Sequence, residues 1–566
     1  MAFSLFFISP FILHPSSFDS LPYMTSTTSS RSDLPLHENN SASSPSSFSL
    51  PLLGSVIALF VAARLWRLTT SCLWFDEIFG VHAARMKWME MLKFVAADII
   101  HPPLFYVLLK LWIALGGESL LWLRLLPVVL STAALVPLIL LSRELKLRAN
   151  EINLAIALLA VSGYLIKYAQ EVRMYSLLFF VTCLSLWFFV KYVNAKNNSI
   201  PWLATLTAVN ILLVYSHYYG WFVVFIEAFT LLIWWRRKAL GFLLSVALLI
   251  VSYLPWLYLI NISREPGRGL AQNIGWVARP GVGDVAQFFS MLNTPFFFRQ
   301  SSVSSFNDVW SICLSLILFG VPIARLIWQN IQTRTRDVEN GRMIWGLLGF
   351  AVVPGAIALL LSWILPHSIW GTRHLIIAAV AYAILAALAL YRLRPSWARI
   401  ACLALLGCWV LLNGTVVLLK RPTNFIWCNW EPLAQQMMKL EENATREVQV
   451  YAYEDLVAYH LWFAADTARR EGRLGNLKIH VAKGIPGLAE DPAYFLPRRF
   501  YDIETQDGAA LKGDAIWIAF RDSAWHPDRP PLSLLPPQGY ETGKVFELPA
   551  QGQKAFMVEV RRRGEQ

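Results

Sequence analysis

Charged residues are scarce in this chain. Asp, Glu, Lys and Arg make up 15% of its 566 residues, whereas 56% are hydrophobic and the mean hydropathy is +0.47. A soluble domain carries about 25% charged residues, so the composition excludes an ordinary soluble globular protein. Apolar runs of about 18 residues or more instead predict transmembrane helices, and the 24 Trp suit the two membrane interfaces.

Cysteine motifs are lacking as well. Four of the six Cys lie within apolar runs, where they are typical packing residues. The sequence has no C-x-x-C pair and no His/Cys spacing of the metal-binding kind, so it predicts neither a disulfide framework nor a zinc site. Cys72 and Cys428 are expected to face the same compartment, and whether they are bonded stays open at this point.

Acidic residues are fewer than basic ones, which gives a net charge of +12. Such an excess is also a feature of nucleic-acid-binding proteins. In a membrane protein, however, Lys and Arg collect in cytoplasmic loops because of the positive-inside rule. We therefore predict the lipid bilayer as a partner and no nucleic acid.

The composition changes twice along the chain. Residues 1–50 are rich in Ser and Pro and are predicted to be disordered, and residues 51–422 contain the apolar runs. In 423–566 short strands are predicted at Val448–Tyr453, Leu477–Ala482 and Asp514–Phe520, a helix at Leu456–Ala468 and a hairpin at Val545–Arg561. The predicted fold class is a polytopic α-helical membrane protein with a soluble C-terminal α/β domain.

The basic loops predict the topology. The five strongest are Arg143–Arg148, Lys191–Lys196, Arg236–Lys238, Arg325–Arg342 and Arg392–Arg399. If every apolar run crossed the bilayer, these loops would share a side with the loop that contains Asp76. They lie on the opposite side only if the run His101–Leu115 does not cross, and its opening His-Pro-Pro suits a re-entrant or surface-lying helix. We therefore predict about eleven crossings in a cell (inner or plasma) membrane, with the N-terminus inside and the C-terminal domain extracytoplasmic.

Under this topology, polar residues gather in the loops of the extracytoplasmic face. Charge next to a membrane span is costly and is kept where groups pair or do chemistry. Each candidate has a structural alternative: a solvated loop charge, an ion pair between Glu171 and Arg173, or an interface residue. The candidates are Asp76, Glu77, His101, Glu171, Arg173, Tyr175, His217, Tyr218, Arg373 and His374.

The candidates suggest catalysis on a phosphate-linked substrate. Adjacent carboxylates such as Asp76 and Glu77 can raise one another's pKa and so provide a base near neutral pH. Arg173 and Arg373, at helix ends, are natural partners of a phosphate at the membrane surface.

Four motifs resemble one enzyme class. WFDE follows the first span, HPPL begins at His101, YAQEVRMYSL precedes one span and YSHYYG follows another. Over Leu52 to Arg394 the chain resembles the GT-C class of polyprenyl-phosphate-dependent membrane glycosyltransferases. The nearest likeness is to family 39, which contains the protein O-mannosyltransferases and the transferases that add aminoarabinose to lipid A.

The resemblance implies a donor sugar linked to polyprenyl phosphate and an inverting transfer to an acceptor hydroxyl. Asp76 corresponds to the base of the family, Arg173 and Arg373 to partners of the leaving phosphate, and Glu77 and Glu171 to groups that bind hydroxyls or hold the arginines. His101 would shape the floor of the site, and the loop Ser263–Asp308, with Arg264, Arg268 and Arg279, would close over it. The protein O-mannosyltransferases of this family have a luminal domain inserted in a loop, and nothing of that size is inserted here. A glycan or lipid acceptor is therefore favoured over a protein.

Three other readings stay open at this stage. One is an oligosaccharide transferase or ligase that uses a pyrophosphate-linked lipid donor, in which Asp76 and Glu171 would bind a divalent metal ion. A second is a secondary transporter, although no internal repeat is seen. The third is a non-catalytic partner that binds envelope components. No other cofactor is predicted.

Overall fold

The computed structural model describes residues 50–196, 199–264, 274–275, 277–297, 306–332, 338–421, 424–440, 447–472, 477–483, 503–507, 511, 515–522 and 540–562. The N-terminal segment that was predicted to be disordered lies outside these residues. Everything below concerns the described part of the chain.

The first two thirds of the described chain are helical. Helices α1–α9 are Leu50–Leu65, Phe75–Arg85, Trp88–Asp98, Leu104–Gly116, Leu120–Ala133, Leu135–Glu144, Ala149–Val161, Gly163–Ala169 and Tyr175–Asn194. Helices α10–α18 are Ile200–Ser216, Gly220–Trp234, Arg236–Ser263, Val282–Asn293, Phe306–Ser315, Val321–Gln332, Val338–Ile364, Ala379–Tyr391 and Ser396–Leu419. A π-helical turn, Leu316–Gly320, joins α14 to α15, and a 3-10 helix, Thr372–Ala378, leads into α17.

Seven described helical segments are long and apolar enough to cross a bilayer. They begin with Leu120–Glu144, which joins α5 and α6, and end with Ser396–Leu419, which is α18. Large apolar side chains of α18, such as Leu411 and Leu419, are mostly exposed, as expected of a surface that faces lipid. The chain is a multi-pass membrane protein.

The run at His101–Leu115 becomes α4, which has only 13 residues. A helix of that length rises about 20 Å, less than the roughly 30 Å of the hydrocarbon core. That α4 does not cross, and that about eleven segments do, remain predictions. The long loop Ser263–Asp308 contains α13, and of the three arginines named above for this loop, Arg268 lies outside the described residues.

The C-terminal part is an α/β domain, as predicted. Its strands are β1 Val448–Ala452, β2 Leu477–Lys483, β3 Glu504–Asp507, β4 Ala515–Arg521, β5 Tyr540–Ala550 and β6 Gln553–Arg562. They form one sheet in the order β3-β2-β1-β4-β6-β5, in which β3, β2, β1 and β4 are parallel and β5 and β6 close the edge as an antiparallel hairpin. Helix α19, Trp430–Leu440, precedes β1, and α20, Asp455–Arg470, connects β1 to β2.

The α/β domain is attached to the first loop, which we define as residues 66–103 between α1 and α4. Cys72 of this loop and Cys428 form a disulfide between positions 356 residues apart. Helix α20 packs on α2 of the same loop, where the Phe75 and Tyr459 rings are 4.9 Å apart and His82 lies edge-on to Trp462 at 4.9 Å. The sequence left the Cys72–Cys428 pairing open, and the structure forms it.

Candidate active site

Asp76 lies in the first turn of α2, where the helix dipole favours a carboxylate. The helix begins after Trp74, whose backbone N–H donates to Glu77 Oε2 at 3.0 Å. Asp76 Oδ2 accepts a hydrogen bond from Arg373 Nη1 at 3.2 Å, and the Asp76 side chain keeps 20% of its exposure. Of the two adjacent carboxylates, it is therefore the one open to a substrate.

Glu77 is buried and holds the first loop in place. Its Oε2 lies 3.3 Å from Arg124 Nη2, and its Oε1 accepts from the Val172 backbone N–H at 2.9 Å. Burial raises the pKa of Glu77, and the Arg124 charge lowers it in part. Both carboxylate oxygens already accept protein hydrogen bonds, so Glu77 occupies an anchoring position. Of the two roles expected of it, binding a hydroxyl or holding the arginines, this is nearer the second, although the arginine that it holds is Arg124.

Arg173 lies directly behind Asp76. Its Nη1 donates to the Asp76 carbonyl oxygen at 2.9 Å and approaches the Tyr106 hydroxyl at 3.4 Å, and its Nη2 lies 3.3 Å from His101 Nδ1. The structural alternative of an ion pair between Glu171 and Arg173 is not formed, since Glu171 pairs with Lys167 at 2.9 Å. The guanidinium groups of Arg173 and Arg373 thus both contact Asp76, Arg173 at the main-chain carbonyl oxygen and Arg373 at the carboxylate.

Three histidines meet beside these arginines. The ring centroids of His217 and His374 are 4.4 Å apart, those of His101 and His217 5.3 Å, and those of His101 and His374 6.0 Å. One ring nitrogen from each comes within 4.8 Å of the others. In the described part of the chain, the Nε2 atom of each ring is buried and has no hydrogen-bond partner.

The hydrogen bonds of two rings assign their tautomers. His217 Nδ1 accepts from the Tyr219 backbone N–H at 3.0 Å, and His101 Nδ1 faces Arg173 Nη2, which can only donate. Burial lowers the pKa of His217 to about 3, with Arg373 and Arg173 lowering it further, and lowers the pKa of His101 well below its usual range. Both rings are therefore neutral near pH 7, and both carry their proton on Nε2.

This donor set does not fit a resident metal ion. A metal needs the lone pair of a ring nitrogen, whereas His101 and His217 present Nε2–H groups, and two guanidinium groups lie nearby. The same arrangement fits an oxyanion, which accepts hydrogen bonds from N–H groups and is attracted by Arg173 and Arg373. The carboxylates of the metal hypothesis, Asp76 and Glu171, are each bound to a cationic side chain of the protein instead.

The predicted tyrosines border the histidines. Tyr175, the first residue of α9, is buried with its ring 6.2 Å from that of His374. Tyr218 follows His217, with ring centroids 6.5 Å apart. All ten predicted residues lie in or next to one cluster. Within it, the carboxylates of Glu77 and Glu171 pair with Arg124 and Lys167.

Sequence reasoning missed several members of the cluster. Tyr106 and Arg124 lie within apolar helices, and Arg124, only 4% exposed, was a detectable signal because an arginine inside an apolar run needs partners. A second buried group lies deeper in the bundle, where Ser185 and Asn210 donate to the two carboxylate oxygens of Glu227 at 2.6 and 2.7 Å.

Comparison with known proteins gave matches by structure alone. No family model matches the chain, and no curated protein matches its sequence. ArnT from Cupriavidus metallidurans, solved bound to undecaprenyl phosphate, superposes with a TM-score of 0.52 at 13% identity, over 90% of this chain and 97% of that one. The oligosaccharyltransferase AglB from Archaeoglobus fulgidus, in complex with an inhibitory peptide and a dolichol-phosphate, matches with a TM-score of 0.46 at 15% identity, over 73% of this chain and 63% of that one. The likeness to ArnT over nearly the whole chain shows the GT-C fold of membrane glycosyltransferases.

Proposed function

We propose that this chain is an integral membrane glycosyltransferase. It would move a monosaccharide from a polyprenyl-phosphate carrier to an acceptor hydroxyl of an envelope glycan or lipid, at the extracytoplasmic face and with inversion. The observation that carries the proposal is the pairing of Asp76 with Arg373 at 3.2 Å beside Arg173 and neutral histidines. A partly exposed carboxylate next to donors for an oxyanion is what such a transfer needs.

In this reaction the carboxylate of Asp76 and the cationic and N–H groups beside it have different roles. Asp76 would take the proton of the acceptor hydroxyl while that oxygen bonds to C1 of the sugar. The bond between C1 and the phosphate oxygen breaks, and polyprenyl phosphate leaves with the electron pair. Arg173, Arg373 and the Nε2–H groups of His101 and His217 would stabilise the phosphate, which needs donors rather than a general acid because it leaves as an anion.

The fold supports the donor class. ArnT, which has a similar fold, was solved with undecaprenyl phosphate bound. In the present chain the guanidinium groups and ring N–H groups form the kind of site that a single phosphate occupies. The fold alone does not name the sugar, so a panel of donors is required.

The alternatives differ in what the cluster would have to hold. A pyrophosphate-linked oligosaccharide donor with a metal ion would need free carboxylates, whereas Asp76 and Glu171 have cationic partners. A transporter would use ionisable groups within the bundle; Glu227 is such a group, but Ser185 and Asn210 already bond to its carboxylate. No observation favours either alternative over sugar transfer.

Purified protein incubated with a panel of polyprenyl-phosphate sugars and envelope lipid or glycan extracts tests the proposal. Release of polyprenyl phosphate together with a glycosylated product is expected for at least one donor. The Arg373→Gln variant should raise the donor KM and lower kcat, while Arg325→Gln, an exposed arginine away from the cluster, should match the wild type. If no donor is consumed, or if a pyrophosphate-linked donor alone is used, the proposal is wrong.

A further inference from the structure

A cavity lies next to the candidate active site, with Glu77 in its wall. It encloses about 720 Å³ between the end of α1, α8 and the end of α18. Glu77, Glu171 and Arg124 line it, but Asp76, Arg173, Arg373 and the three clustered histidines do not. The cavity is thus a neighbour of the candidate active site and not part of it.

The walls of this cavity are apolar and open towards the bilayer. Leu59 and Trp66 of the α1 region and Leu418 of α18 line it, and these side chains are 41%, 46% and 58% exposed. Helix α18 is long and apolar enough to span a bilayer and α1 is a shorter apolar helix, so an exposed apolar surface between them is suited to contact lipid chains. Water filling such a volume, at about 30 Å³ per molecule, would have few polar partners along these walls.

The rim of the cavity at the first-loop end is cationic. Arg67, Lys420 and Arg421 line it, and none of the three has a carboxylate partner within ion-pair distance in the described chain. Arg67 Nη2 donates to the Leu418 carbonyl oxygen at 3.4 Å, which holds its guanidinium between the two helices. Three positive charges without a carboxylate partner, at the rim of an apolar cavity, favour a negative ligand there.

The remaining charges of the cavity are already neutralised. Arg124 pairs with Glu77, and Lys167 pairs with Glu171. The cations available to a ligand are therefore those of the rim, next to the apolar walls. A ligand with a long apolar part and one anionic group would match the apolar walls and the cationic rim.

We propose that this cavity binds one anionic phospholipid of the bilayer. Its phosphate would lie among Arg67, Lys420 and Arg421, and one acyl chain would lie along Leu59 and Leu418. This site goes beyond the proposed function, because the donor phosphate has its own partners in the histidine cluster. Cys72 and Cys428 also line the cavity, so the bound lipid would contact both sides of the bond that joins the first loop to the α/β domain.

Native mass spectrometry of the delipidated full-length protein tests this inference without any activity measurement. The probes are dioleoyl phosphatidylglycerol, dioleoyl phosphatidylcholine, undecaprenyl phosphate and inorganic phosphate. We expect one tightly bound phosphatidylglycerol, with phosphatidylcholine and inorganic phosphate each at least about tenfold weaker. The same phosphatidylglycerol should raise the apparent melting temperature, since a ligand that binds only the folded state stabilises it.

Two variants and one control make the result specific. Combined Arg67→Gln, Lys420→Gln and Arg421→Gln should weaken phosphatidylglycerol binding about tenfold or more, and Ala63→Phe, which fills the apolar part, should weaken it with all three cations intact. The control replaces Arg236, Arg237 and Arg325, which loses the same charge elsewhere. The inference is overturned if the rim variant and the control bind alike, if inorganic phosphate binds as tightly as the lipid, or if undecaprenyl phosphate displaces phosphatidylglycerol from the site. None of these results bears on whether sugar is transferred.

Discussion

Arg85 at the end of α2 and Asp466 of α20 form a buried ion pair, with Nη1 and Oδ2 2.8 Å apart and side-chain exposures of 3% and 15%. Arg85 also contacts Glu118 at 2.6 Å and stacks over the Phe463 ring at 4.5 Å. The helix that carries Asp76 at its first turn is thus fixed at its last turn by the α/β domain. This contact makes the C-terminal domain a support of the candidate active site.

Replacing Arg85 with Met should destabilise the protein by about 3 kcal/mol, because Asp466 and Glu118 would lose their buried partner. The matched control is Lys146→Met, which breaks a pair with Glu339 in which both side chains are more than 70% exposed and which contributes about 1 kcal/mol or less. Thermal unfolding in detergent compares the two. Equal melting temperatures would contradict the supporting role of α20.

The disulfide should stabilise the same attachment. Combined Cys72→Ser and Cys428→Ser is expected to lower stability by about 2–4 kcal/mol, the usual effect of a native disulfide. Cys313→Ser, which removes an exposed free thiol, is the control and should leave the unfolding midpoint unchanged. If the double variant also behaves as the wild type does, the bond does not tie the first loop to the α/β domain.

The helix/strand pattern of the C-terminal part could be predicted because periodicity and composition are local properties. The strand predicted at Leu477–Ala482 is β2, and the hairpin predicted at Val545–Arg561 is formed by β5 and β6. Partners far apart in sequence could not be predicted in this way. Asp76 with Arg373, 297 residues apart, and Arg85 with Asp466, 381 residues apart, depend on packing that no local pattern encodes.

The same limit applies at Glu171. An ion pair with Arg173, two residues away, stayed open as a structural alternative, but Glu171 contacts Lys167, four residues earlier. That spacing is the one at which helical side chains meet. Arg173 instead turns to the carbonyl group of Asp76, which only the folded chain brings near.

Gly371 should be intolerant of a side chain. A Cβ atom at this position would lie 2.5 Å from His374 Nδ1, so Gly371→Ala must displace the His374 ring from the cluster. Gly349→Ala is the control, since a Cβ atom there meets nothing within 4 Å. We expect Gly371→Ala to raise the donor KM at least severalfold. Unchanged kinetics would show that His374 does not contribute to donor binding.

Acid should weaken the contact between α2 and α20 through His82. Burial, assisted by the Arg85 charge, lowers the pKa of His82 to about 4. Because the unfolded value is about 6.5, the unfolded chain binds more protons between these two pH values, and stability falls as the pH falls through that window, by roughly 3 kcal/mol in total. His82→Asn should flatten the dependence of the melting temperature on pH from 7 to 4, while His367→Asn should preserve it. Parallel curves for all three proteins would refute this assignment.

Substitutions of Glu77 and of Asp76 should have different effects on the stability of the protein. Glu77→Gln leaves Arg124 buried without its ion-pair partner and is expected to destabilise the protein by about 3 kcal/mol. Asp76→Asn changes a partly exposed group and should leave the melting temperature close to that of the wild type. The reverse order of stabilities would exchange the roles assigned to the two carboxylates.

The central claim, that Asp76 is the base of a sugar transfer, is tested most directly by the single-turnover rate of Asp76→Asn with a donor that the wild type uses. The account predicts that this variant folds and binds the polyprenyl-phosphate donor but transfers its sugar at least about 100-fold more slowly, the usual contribution of a general base. Transfer at the wild-type rate by the folded variant would contradict it.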